Sequence, residues 1–143
     1  MVLLTAFVRF YLCRWSSFVN GFKDMESKLT FTVEEKSFVI EADGKKLRVS
    51  YAEFEGNHED AMRFCKEQGG GDETVENLRF IARHRDTINK ELKKLGKKII
   101  LGLYWTNEIA WSADCAFVVS MHFVSVSFDI RYCFNNARAI SVL

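Results

Sequence analysis

The sequence predicts an α+β domain, on three observations. Short β-type runs occupy the chain from about residue 28 to 51. Two stretches with apolar residues at helical spacing come next, and β-type runs then return. A chain of 143 residues suits one domain, and 48% hydrophobic residues, 13 of them Phe, are ample for a packed core.

The first strand is expected over 28–33, where Leu29, Phe31 and Val33 alternate with polar residues. The runs 37–42 and 46–51 flank Asp43-Gly44, and both turn residues tolerate positive φ, so they read as a hairpin. Phe38, Ile40 and Ala42 then face Leu47, Val49 and Tyr51. Gly56-Asn57 ends this pattern; Asn57 is a good helix N-cap, with Glu59 and Asp60 in the first turn. Ala61, Phe64 and Cys65 form one apolar face, and Gly69-Gly70-Gly71 stops the helix. The triple glycine is not a phosphate loop, because no Gly-Lys-Ser/Thr comes after it and it leaves a helix instead of entering one.

Asp72 or Thr74 caps a second, longer helix that runs to Gly96. Val75, Leu78, Ile81, Ala82, Ile88, Leu92 and Leu95 make its apolar stripe. Arg79, Arg83, Arg85, Lys90, Lys93 and Lys94 fall largely outside it and read as a solvated face. Residues 99–105 read as a buried strand, Thr106-Asn107-Glu108 as a polar turn, and 117–132 as mostly β again.

Composition narrows the partners. Net charge is +1, from 20 basic and 19 acidic residues, which argues against nucleic acid. The apolar stretch 116–130 is shorter than the ~20 residues of a spanning helix and carries His122 and serines, so a membrane span is not expected there. Residues 1–24 form an N-terminal apolar segment, and residues 25–143 the single domain. The run 2–12 has signal-peptide length, with Ser16-Ser17 as a processing neighbourhood, but Arg9 interrupts it and no basic stretch precedes it. A buried strand or a start site inside a longer gene remains its alternative. The four cysteines, Cys13, Cys65, Cys115 and Cys133, form no C-x-x-C pair. Their even number fits two disulfides in a secreted protein or four cytosolic thiols equally.

These elements and residues resemble the C-type lectin-like domain family over about 49–111. His58-Glu59-Asp60-Ala61-Met62-Arg63-Phe64-Cys65 is similar to the family's first helix, with Ala61 and Cys65 at its spacing. Gly69-Gly70 is similar to its turn, and the helix from Glu76 to Leu95 stands where its second helix does. Ile100-Leu101-Gly102-Leu103 takes the Trp-Ile-Gly-Leu slot, with Ile100 replacing Trp. Tyr104-Trp105 and Ala110-Trp111-Ser112-Ala113-Asp114 resemble the family's Trp-x-Trp-Ser-Asp-Gly segment, although Ala113 disturbs the Ser-Asp step. The resemblance implies a disulfide from Cys65 to Cys133, or else to Cys115. After Asp114 it fades. The family's calcium-binding type needs a proline-containing tripeptide and a Trp-Asn-Asp triplet; this chain has no proline, and only Asp114 and Asp129 are acidic after Trp111. Calcium takes about six to eight oxygen ligands, so no metal site or other cofactor is expected.

Other chemistry is weaker. His84-Arg85-Asp86 imitates a kinase triplet by chance, since Glu91 stands where Asn is needed and no nucleotide loop precedes it. Cys65 with His58 or His84 lacks an oxyanion element and an orienting acid, so no catalytic residue is assigned. His122, within an apolar strand, reads as a satisfied structural histidine and not as a ligand. Tyr104, Trp105 and Trp111 are the candidate ligand-contact aromatics, with burial in the core as the commoner fate of such residues. The expectation is an extracellular recognition module for a glycan or protein ligand, independent of calcium and not an enzyme. A truncated or non-binding gene product and an intracellular (cytoplasmic) interaction domain are its rivals; oligomeric state is left open.

Overall fold

The computed structural model describes residues 28–143. The expectations for the apolar segment 1–24 and for Cys13 lie outside the described residues. Among the described residues nine strands and three helices succeed one another as β1 (Thr30–Val33), β2 (Ser37–Ala42), β3 (Lys45–Ser50), β4 (Phe54–Gly56), α1 (His58–Glu67), α2 (Val75–Arg83), α3 (Arg85–Lys94), β5 (Leu103–Ile109), β6 (Cys115–Ser120), β7 (Val126–Ile130), β8 (Asn135–Ala137) and β9 (Ile140–Val142). The domain is α+β. One sheet has the order β1-β2-β3-β9 and the other β4-β8-β5-β6-β7.

The hairpin forms where the sequence places it. Asp43 and Gly44 both take positive φ, 54° and 76°. The register pairs Phe38 with Val49 and Ile40 with Leu47. All four, with Ala42 and Tyr51, are buried. The last strand, β9, returns antiparallel against β3.

Two apolar clusters lie on opposite faces of the five-stranded sheet. On one face Ala61 and Cys65 of α1 meet Trp105, Ala116, Val118 and Ala137. On the other, Leu78, Ile81 and Ala82 of α2 and Ile88 and Leu92 of α3 lie between the hairpin sheet and Tyr104, Val119 and Met121. The capping residues do what their side chains allow: Asn57 accepts from the Asp60 amide and Thr74 from the Asn77 amide.

The structure differs from the sequence reading at four places. The long second helix is two helices, because His84, at φ −106° and ψ 14°, leaves helical geometry. Its amide bonds to the Ile81 carbonyl three residues back. β5 starts at Leu103 and not at residue 99, because the Asn89 amide holds Ile100 outside the sheet. Asn89 Oδ1 accepts from the Ile100 amide at 2.7 Å, and Nδ2 donates to its carbonyl at 2.9 Å. Gly102 then turns the chain with φ 93°, where a Cβ would come within 3.2 Å of Asn136 Nδ2. Thr106-Asn107-Glu108 is no turn but part of β5, at an irregularity in its pairing with β6. Its polar groups are used by neighbours. Asn107 Nδ2 donates to the Gly71 carbonyl, and Glu108 accepts the Val75 amide at the start of α2. His122 is not inside a strand: it is exposed in the turn between β6 and β7.

Candidate ligand-binding surface

Three aromatic residues were candidates for ligand contact, and the structure separates them. Tyr104 and Trp105 are each only 1% exposed and belong to the core. Trp105 donates from Nε1 to the Gly56 carbonyl at 2.9 Å. The Tyr104 hydroxyl donates to Glu53. Glu53 also accepts from the buried Arg138, 2.9 Å away, and from Lys98 at 3.0 Å. Arg138 in turn donates to the carbonyls of Ser50 and Lys98. This satisfied buried network ties the end of β3, the loop before β5 and the link from β8 to β9 into one unit. Neither aromatic is available to a ligand.

Trp111 is different. It is 78% exposed, on the turn that joins β5 to β6. Its ring meets Phe128 edge-on at 4.7 Å between centroids and Phe117 at 6.1 Å. β6 and β7 pair Phe117 with Phe128, Cys115 with Ile130 and Val119 with Val126, so these six side chains share one face. At Val119 that face is buried under the helices. At Phe128, Ile130 and Trp111 it lies open.

The same turn lines a cleft of about 140 Å³ between Ala113, Asp114, Arg131 and Tyr132 on one side and Asn57 and Glu59 on the other. Arg131 is held from within. Its Nε donates to His58 Nδ1 at 3.2 Å, and its Nη1 to the Ala113 carbonyl at 3.2 Å. His58 Nε2 donates to the Thr106 carbonyl at 2.8 Å, which fixes the neutral tautomer. Burial, with Arg131 adding to it, holds the His58 pKa below its usual value. The arrangement therefore offers an apolar stacking plane beside a cleft with donors and acceptors of both charges.

The segment Ile100-Leu101-Gly102-Leu103 is split by the fold. Ile100 is buried, Gly102 makes the turn, and Leu101 and Leu103 are exposed. The disulfide implied by the resemblance is not formed: Cys65, Cys115 and Cys133 are free. Cys65 is enclosed between α1 and the sheet, whereas Cys133 lies exposed on the turn after β7. Burial, with Glu73 adding to it, pushes the Cys65 thiol far above its usual range, which is the opposite of an activated nucleophile. His84 tilts against Phe80 instead of meeting a cysteine.

Sequence reasoning missed Phe117, Phe128, Ile130 and Arg131. Period-two alternation in 126–130 was the available signal. Among the described residues, no group of three His, Cys, Asp or Glu side chains converges as a metal site, and no helix is long and apolar enough to cross a membrane. In comparisons with known proteins, the chain matches no family model, no curated protein and no solved structure.

Proposed function

We propose that the chain is an extracellular C-type lectin-like recognition module that binds a carbohydrate or protein ligand, without the conventional calcium site, on the Trp111 platform. The observation that carries this reading is the 78% exposure of Trp111 against Phe128, beside the Arg131 cleft. An indole plane stacks on the apolar face of a pyranose ring or on an apolar side chain, and a charged rim fixes orientation. The order hairpin, short strand β4, α1, the broken helix α2–α3 and strand β5, with the closing pair β3–β9, supports the family resemblance of the central residues. A glycan array read with and without chelator, on the wild type and on Trp111→Ala, tests it. The expected result is signal on a subset of glycans that persists in chelator and falls about tenfold or more in Trp111→Ala, the loss expected on removing a binding hot spot. Flat signal on every sugar excludes the carbohydrate arm and leaves protein ligands.

The unpaired Cys65, Cys115 and Cys133 favour a second reading, a cytoplasmic α+β protein-interaction domain using the same surface. Thiol titration of the natively expressed protein separates the two: reactive Cys65 after unfolding without reductant supports the cytoplasmic reading, and blocked Cys65 supports the extracellular one.

A further inference from the structure

Among the described residues the open face ends at an unpaired strand edge, β7, and the hydrogen bonds fix the directions of its backbone groups. The Arg131 amide donates to Asp114, and Ser125 accepts from the Ser120 amide. Odd-numbered residues of this segment therefore point their backbone groups at β6, and Val126, Phe128 and Ile130 point theirs out of the sheet. Consistent with this, the Ile130 amide is met by Asp129 Oδ1 and not by β6. Strand edges are normally blunted by lysine, proline, a bulge or very short length. The opposite edge of this sheet, β4, has only three residues. β7 has five, with the sequence Val-Ser-Phe-Asp-Ile and no lysine or proline.

We infer that β7 pairs antiparallel with β7 of a second copy of this chain, joining two five-stranded sheets across a two-fold axis at Phe128. The strand is self-complementary in that register. Phe128 meets Phe128, with both sets of outward amide and carbonyl groups exchanged. Val126 falls opposite Ile130 of the second copy, so apolar meets apolar on the open face. Asp129 falls opposite Ser127 of the second copy, so the two carboxylates are not set against each other. A two-fold axis perpendicular to the sheet keeps both Trp111 platforms on the same face and makes one continuous aromatic surface from two. The pairing stands on the strand edge and does not rest on the ligand reading. If a ligand does bind at Trp111, the dimer presents two sites side by side, and multivalent ligands gain by avidity.

Sedimentation velocity over a concentration series, on the full chain, tests the pairing. Phe128→Lys and Phe128→Glu each place like charges at the axis, and each is expected to weaken dimerisation about tenfold or more. Mixing the two variants restores a dimer, because the axis then joins Lys to Glu. Val126→Pro removes only an outward-facing amide and should also favour the monomer, with circular dichroism confirming that each variant is folded. A wild-type chain that stays monomeric at every concentration, dimers that both charge variants retain, or assembly into open oligomers would overturn the inference. A monomeric result would point instead to another segment of the chain, or a different protein, covering β7.

Discussion

Trp105 and Trp111 lie six residues apart around one strand and have opposite surroundings. Trp105 is 1% exposed, with α1 over it, the His58 ring edge-on at 5.1 Å and its indole nitrogen satisfied. Trp111 is 78% exposed and, among the described residues, its ring meets Phe128 and Phe117 on the sheet face. Residue type does not distinguish them. The reach of the helices does: α1 and α2 cover β5 and the inner positions of β6, while the outer face of β7 is left open. One end of this sheet is covered scaffold and the other is an open apolar surface.

The largest expected effects lie at the covered end. Trp105→Ala should cost about 3–5 kcal/mol in urea unfolding, the range for truncating a buried aromatic. Arg138→Met should cost about 3–5 kcal/mol, because it leaves the Glu53 carboxylate buried without its guanidinium. A loss below about 1 kcal/mol in either would break the assignment of this end as scaffold. Asn89→Ala should cost about 1–3 kcal/mol by orphaning the Ile100 amide and carbonyl.

Much of the covered end was legible in the sequence. Asp43-Gly44, Asn57 and Thr74 each act locally, so turn and capping chemistry sufficed to place them. The break at His84 was not legible, because Ile81 and Ile88 are seven residues apart, close to two helical turns, and keep the stripe in phase across the kink. The start of β5 was misplaced because Ile100 is held by Asn89 from another element, a contact that no local pattern encodes. Thr106-Asn107-Glu108 read as a turn because its polar groups look solvated, yet they cap α2 and hold the glycine loop. The platform was half legible. Trp111 was singled out with Tyr104 and Trp105, but which of the three is exposed depends on helix coverage.

The junction between the two ends is expected to respond to pH through His58. His58 has its folded-state pKa below the ordinary 6.5, so the unfolded chain takes the proton first. Stability is therefore lost as pH falls through 6.5 toward the lower folded value. Thermal unfolding of the wild type at neutral and mildly acidic pH should show this drop, and His58→Gln should show less of it. An equal drop in both would assign the effect to other groups. Thiol chemistry gives a further contrast. Under native conditions the exposed Cys133 should react with a thiol reagent, while the enclosed Cys65 should stay unlabelled. Rapid native labelling of Cys65 would mean that α1 does not cover the sheet as described.

The smallest expected change is the most direct test. Trp111→Ala, unfolded by urea at a concentration where the chain is monomeric, should match the wild type within about 0.5 kcal/mol, as a surface substitution does. A loss of about 2 kcal/mol or more would mean that Trp111 is held in the core as Trp105 is, and would contradict an open recognition face.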